Sequence, residues 1–257
     1  MARLRVAAHI HSAFSDDCDW PLDRICRTLR RQGYHGALVC EHDRGMTADS
    51  WERIREECAR LSQSGFLVVP GIEYQDPTHT IHVPVYGPAP FLGSSPTVQD
   101  VLSHARAHAA IGVLAHPRRR DAYQVLTTDD LRLASGIEVW NRKYDGIRPN
   151  DWAFEQASTH GLIAFTALDF HGPRQFFPLS MDVRVEGEPT VSNVVSAIAA
   201  GAVAPTVLGA ALEHALTGTF GTTARWAEST RARMAPGVRR LEAAVSNTRQ
   251  RVPRLKR

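Results

Sequence analysis

The chain has 257 residues, 43% of them hydrophobic and 22% charged, with a formal net charge of +3. That is the composition of a soluble globular protein with material for one large α/β domain, or a domain plus an appendage. It leaves no room for a membrane span, since no stretch approaches the ~20 apolar residues one needs. The start MARLRVAAH also lacks the apolar region of a signal peptide. The expected setting is the cytoplasm, with Cys18, Cys26, Cys40 and Cys58 as reduced thiols, because they form no CxxC pair.

In chain order, Val6, Ala8 and Ile10 alternate as in a strand. That puts His9 and His11 together at one strand end, with Asp16 just beyond on a turn rich in Ser and Asp. Leu22 to Gln32 reads as a helix with Leu22, Ile25, Cys26 and Leu29 on one face, stopped by Gly33. GALVC is a short buried strand that delivers Glu41, His42 and Asp43. A helix follows from about Ser50 to Ser64, with Trp51, Ile54, Cys58 and Leu61 at helical spacing. FLVVPGI is expected as one strand leading to Glu73, and Ile81, Val83 and Val85 alternate in the next, with His82 on its other side. Ser95, Pro96 and Asp100 are the cap, first position and first turn of a helix running to about Ala109. IGVLA ends at His116, and after a short helix near Asp129 comes the strand GIEVWN. A helix from about Asn150 to His160, the strand LIAFTAL with Asp169 and His171 at its end, a strand from Leu179 to Val185 and a helix near Val191 to Ala200 complete the main body. Strand followed by helix, repeated about seven times, predicts a parallel sheet closed as a barrel, with its active site at the carboxyl ends of the strands.

The tail is different in character. From Pro205 onward there are ten Lys or Arg against three Asp or Glu, a balance of +7, which leaves −4 for the part before it. The expectation is a main domain over residues 1–204 and a basic helical extension over 205–257. Leu208, Leu212, Ala215 and Leu216 form one apolar stripe of that extension, Val238, Leu241 and Val245 another, and PRLKR a disordered end.

The strand-end residues are six histidines and three acids: His9, His11, Asp16, His42, Glu73, His82, His116, Asp169 and His171. That exceeds the needs of one metal and suits two or three divalent ions, with Glu73 as a two-oxygen bridge. His79 competes with His82 for its role. Asp43 is placed to bond a ligand imidazole or touch substrate, and Arg118, Arg119 and Arg120 to clamp a phosphate. Asn141, Arg142 and Lys143 lie just beyond a strand and face substrate in the same way. His104 and His108 have metal-binding spacing but fall on an outer helix, which makes them surface residues.

The motifs HIHSAFSD at 9 to 16, EHD at 41 to 43, GIE at 71 to 73, IHVPVYG from Ile81, AHP at 115 to 117 and LDFHGP from Leu168 resemble, in this order, those of the PHP family, named for polymerase and histidinol phosphatase. The resemblance runs from about residue 4 to residue 185. It implies a distorted (β/α)7 barrel with a metal cluster of Zn, Mn or Fe at its mouth. His9, His11, Glu73 and Asp169 would hold one ion, Glu73, His82 and His116 a second, and Asp16, His42 and His171 a third. Glu41, Asp17 and Leu168 stand where the family commonly has Asp, Gly and Ser, without removing a ligand. The implied activity is hydrolysis of a small phosphorylated metabolite or nucleotide, water being acidified from a pKa of 15.7 towards ~7 by the ions to give the attacking hydroxide. HTIHVPVYG is closer to the nucleotide-phosphatase branch than to the histidinol phosphatase branch. The alternatives are a nuclease guided by the basic tail, and a non-catalytic metal-binding module supporting a partner.

Overall fold

Helical periodicity becomes buried faces here. The computed structural model describes residues 1–63, 65–216, 221–223, 226–227, 229–230 and 233. Its elements are β1 (Ala2–Ile10), α1 (Leu22–Arg31), β2 (Gly36–Val39), β3 (Glu41–His42), α2 (Ala48–Ser62), β4 (Leu67–Val69), β5 (Gly71–Gln75), β6 (His82–Tyr86), α3 (Val98–Ala107), β7 (Ile111–Leu114), α4 (Thr128–Leu133), β8 (Gly136–Asn141), α5 (Asp151–His160), β9 (Ile163–Ala167), β10 (Leu179–Val185), α6 (Val191–Ala199), β11 (Val203–Val207), β12 (Ala210–Ala211) and α7 (Leu212–Leu216). Helix α1 buries Leu22, Ile25, Cys26 and Leu29, and α2 buries Trp51, Ile54, Cys58 and Leu61. The four cysteines are free and buried. Among the described residues no helix is long and apolar enough to cross a membrane.

The architecture is α/β with two six-stranded mixed sheets, ordered β12-β11-β10-β1-β2-β4 and β3-β5-β6-β7-β8-β9. The closed parallel barrel expected from the repeat is not found among the described residues. Parallel pairing holds for β1 with β2, β2 with β4, β3 with β5, β7 with β8, and β8 with β9. The pairs β5 with β6, β6 with β7, β1 with β10 and β10 with β11 are antiparallel. The departure starts after β5, where no helix intervenes. Asp76 folds the connection back, its carboxylate accepting from the amides of Thr78, Thr80 and Ile81 at 2.7 to 3.0 Å.

FLVVPGI is two strands rather than one. Pro70 offers no N–H to continue a ladder, and at Gly71 the chain passes from the first sheet to the second. A Cβ at Gly71 would meet the carbonyl oxygens of Val39 and Val85 at 2.6 Å. Cys40 marks the same passage between β2 and β3, and its amide donates to Ile10 O. The sheets also meet on the other side, through a parallel bridge between Ile10 and Phe170. His42 and Glu73 therefore emerge where one sheet gives way to the other.

Two further expectations change. Helix α3 is capped by Thr97, whose side chain accepts from the Asp100 amide, while the Ser95 amide is held by Asp43. Strand β11 crosses the boundary expected at 204 and pairs with β10, so residues 203–207 belong to the sheet. Leu208 is exposed in the turn after β11 while Leu212 is buried, so the two do not share a helical stripe. The side chains of Ala215 and Leu216, the stripe Val238, Leu241 and Val245, and PRLKR lie outside the described residues.

Candidate metal centre

Glu73 is the point on which the site converges. It projects from β5 almost wholly buried, 1% exposed, and five imidazoles reach it. His42 Nδ1 and His82 Nδ1 lie 2.9 Å from its carboxylate, His116 Nε2 3.1 Å, His9 Nε2 3.2 Å and His11 Nε2 3.5 Å. Burial by itself would raise this carboxyl, but His82, His9, His116 and His42 hold it well below the usual range. Asp169 is the second buried acid, with His9 and His11 at 3.9 Å and His116 at 4.0 Å.

Strand direction explains the meeting. His9 lies in the last two residues of β1 and His11 directly follows it, and His116 and Asp169 stand two residues beyond β7 and β9. His82 begins β6, and because β6 runs antiparallel to β5 its first residue arrives at the same rim. The backbone is not relaxed there: His9, His116 and Asp169 have φ of 61°, 29° and 48°. Left-handed conformations at non-glycine residues gather at functional sites. His9 sits in a register shift between Ala8 and Ile10, so the pair of imidazoles arises from a bulge rather than from the clean alternation expected. Their Nε2 atoms are 3.1 Å apart.

Potential ligand atoms within 4.8 Å of one another form the groups His9, Glu73 and His116; His11, His42 and His171; Asp16, Asp17 and His42; and His9, His11 and Cys40. The polar atoms left over fit a cation. His82 Nε2 and His116 Nδ1 are buried without a hydrogen-bond partner among the described residues, which is costly unless something else binds them. Burial and His42 push His11 well down, and burial lowers His82 to about 4, so both present neutral imidazoles, the form that ligates metal. For His42 and His171 burial opposes charge, but hydrogen bonds to Asp17 with Glu73, and to Asp169 with Asp17, raise each to about 9.

Asp16 is largely exposed and pairs with Arg44 at 3.0 Å. Its neighbour Asp17 reaches His42 Nε2 at 3.3 Å and His171 Nε2 at 3.2 Å. Asp43 is buried and accepts from the Ser95 amide at 2.8 Å, which ties it to that loop. Arg118 turns to the buried Asp145, 3.7 Å away. Arg119 and Arg120 instead line the cup, tied to His79 O at 2.9 and 3.1 Å. Lys143 lines it too, 3.4 Å from Asp169 and 3.2 Å from His171. The cup measures about 410 Å³. His79 stands on its wall, bonded to Gln75 at 3.1 Å, while His82 takes the place beside Glu73. His104, half-buried on α3, and His108, exposed at its C-cap, bond to Pro90 O and His104 O.

Glu138 is a contributor that the sequence reading does not name, and Asn141 and Glu41 make contacts it does not foresee. Glu138 lies inside β8, 1% exposed. It accepts from His9 Nδ1 at 2.5 Å and from the His116 amide at 2.8 Å. Asn141 Nδ2 donates to Glu138 at 2.8 Å and to Asp169 at 3.2 Å, which turns its amide to these two buried acids. Glu41 is clamped by Ser12 and Ser15, both at 2.5 Å, and Ser15 Oγ also takes the His42 amide. A charged residue amid Ile137, Val139 and Trp140 signals a buried partner, and that signal was present in GIEVWN.

The chain shares its fold with PHP-like metal-dependent phosphoesterases. A two-domain protein from Bacteroides vulgatus, containing a predicted PHP-like metal-dependent phosphoesterase, superposes with a TM-score of 0.61 at 22% identity, over 80% of this chain and 65% of that one. The chain thus spans slightly under two thirds of that protein. PsfC from Pseudomonas syringae gives 0.61 at 16% identity over 90% and 99% of the two chains. A lesion-specific endonuclease from Pyrococcus furiosus gives 0.54 at 15% over 77% and 56%. No family model matches the sequence, and no curated protein matches it.

Proposed function

We propose that the protein is a metal-dependent phosphoesterase that hydrolyses the ester of a small phosphorylated metabolite or nucleotide. The observation that carries this reading is the meeting of His9, His11, His42, His82 and His116 within 3.5 Å of one buried carboxylate, Glu73, in a cup also lined by Arg119, Arg120 and Lys143. His9, His11, Glu73 and Asp169 would hold one divalent ion, Glu73, His82 and His116 a second, and His42 and His171 a third, with Asp17 in preference to Asp16. Zn, Mn and Fe all suit such mixed nitrogen and oxygen donors. Ions bound there supply Lewis-acid activation of water and neutralise phosphate charge.

The chain's own groups do the rest. Arg119, Arg120 and Lys143 bind the phosphate oxygens and orient the ester. Burial opposes the charge on Lys143, but Asp169 outweighs it and keeps the ammonium above its ordinary range. Glu138 accepts from His9 Nδ1, which turns Nε2 towards the cup, where a bound ion would take its lone pair. The two sheets are taken as halves of a distorted (β/α)7 barrel, a reading supported by the Ile10 to Phe170 bridge, and the phosphoesterase unit extends through β12.

His116→Ala and Asp169→Ala are expected to abolish turnover of p-nitrophenyl phosphate and of a nucleotide panel by Mn-, Zn- or Fe-loaded protein, with circular dichroism unchanged. Near-normal turnover in either variant defeats the mechanism. An oligonucleotide in the same panel tests the nuclease alternative, and absence of all turnover with every metal would favour a binding module. Glu138→Gln should weaken metal affinity ~10- to 100-fold, read by competition with a chelator. A value within twofold of the parent protein removes Glu138 from its role.

A further inference from the structure

Next to the metal cup lies a second cavity of about 470 Å³, lined by Arg118, Asp121, Tyr123, Tyr144, Asn150 and Trp152. The two share Tyr144, whose ring stands 4.9 Å from that of His116. The hydrolysis proposed above makes no use of this second space. Its size lies in the ordinary range of small-molecule sites.

Three of its features select a ligand. Tyr123 and Trp152, both half-buried, place their rings 5.7 Å apart with planes 55° from parallel, an aromatic wall for a flat group. Asn150 is 2% exposed. Its Oδ1 accepts the Ala153 amide at the start of α5, but its Nδ2 is buried with no hydrogen-bond partner among the described residues. A donor kept dry and unpaired calls for an acceptor from outside the chain. Arg118 is held through Nε by Asp145, and its two Nη groups make no hydrogen bond among the described residues. Arg118 is paired with Asp145, and Asp121 stands on the same wall, which disfavours a second anionic group here and leaves stacking and hydrogen bonding as the recognition chemistry.

We infer that this cavity binds a planar, acceptor-bearing heteroaromatic ring of nucleobase type, carried on the alcohol side of the ester whose phosphate enters the metal cup. The inference rests on the phosphoesterase reading and narrows its substrate class. An aromatic wall takes any base by its face, and Asn150 Nδ2 donates to a ring nitrogen or carbonyl at its edge. Arg118, expected from the sequence to clamp phosphate, acts on the ring end instead.

The test uses the full chain and two readouts. Metal-free protein is titrated with adenosine by calorimetry, then with Tyr123→Ala, Tyr123→Phe and Asn150→Asp, the last keeping the cap acceptor of α5 while removing the donor. Adenosine should bind about tenfold more weakly to Tyr123→Ala, the scale of one lost stacking contact, more weakly to Asn150→Asp, and normally to Tyr123→Phe. In metal-loaded protein, the ratio of kcat/KM for adenosine 5′-monophosphate to that for ribose 5-phosphate should fall in the same order. A single-stranded oligonucleotide whose affinity falls in parallel identifies a strand end as the source of the base. Dependence confined to the mononucleotide identifies a free nucleotide, and both results support the cavity. If adenosine binding responds to the variants while no ester is hydrolysed with any metal, the cavity stands and the phosphoesterase reading falls. Failure of adenosine to bind the parent protein, or a ratio indifferent to Tyr123→Ala, overturns the inference.

Discussion

In metal-loaded protein, and on the proposed reading of the site, Glu73→Gln is expected to release the metal and cut turnover by roughly a hundred- to several-thousandfold, since unpairing one member of a buried charge cluster costs ~3–5 kcal/mol. The substitution conserves shape, so the loss reports charge and hydrogen-bonding capacity. A carboxylate offers acceptors on both oxygens, and five imidazoles lie within 3.5 Å of this one. An amide presents an oxygen on one side and N–H donors on the other, so part of the histidine ring would face donors with donors. Metal content per chain after dialysis and turnover of p-nitrophenyl phosphate check the result together. A variant that keeps its metal and most of its activity removes Glu73 from the centre of the site.

Gly71→Ala carries the largest expected effect on stability. The new Cβ would sit 2.6 Å from Val39 O and Val85 O and 2.8 Å from a ring carbon of Tyr86. Two of those neighbours are backbone, which cannot swing aside as a flexible side chain does. Overpacking costs ~1–3 kcal/mol, and a loss near ~3 kcal/mol corresponds to a fall in Tm of about 6–12 °C for a domain of this size. Glu73 lies two residues further along β5, so turnover should fall with stability. Thermal melting followed by circular dichroism measures it, and a shift below about 2 °C would mean that the strands part without cost.

Local pattern made the helices and their faces legible, because helical spacing of Leu22, Ile25, Cys26 and Leu29, or of Trp51, Ile54, Cys58 and Leu61, is set by burial on one side. It also showed that acids and histidines stand at strand ends. What it could not carry is pairing between distant strands. The antiparallel place of β6 and the change of sheet at Pro70 depend on hydrogen bonds to segments far off in sequence. Adjacent residues posed a different difficulty. Asp16 and Asp17 are both acids on one turn, and only the course of the backbone decides that Asp17 meets His42 and His171 while Asp16 meets Arg44. The same holds for the arginines after His116, where φ of 49° at Arg120 and 55° at Asp121 turns the chain so that Arg119 and Arg120, not Arg118, line the cup. Glu138 was overlooked for a third reason: its strand reads as apolar core, and its one charge acquires meaning from His9, 129 residues away.

The passage of the chain between sheets at Cys40 and Gly71 has one more consequence. His9 belongs to the first sheet's strand β1 and His11 directly follows it, whereas Glu73 and His82 belong to the second. An occupant gripped by both sets would clasp the two halves of the molecule, so its affinity and the docking of those halves become one linked equilibrium. Whatever loosens the joint weakens the grip, and whatever is gripped tightens the joint.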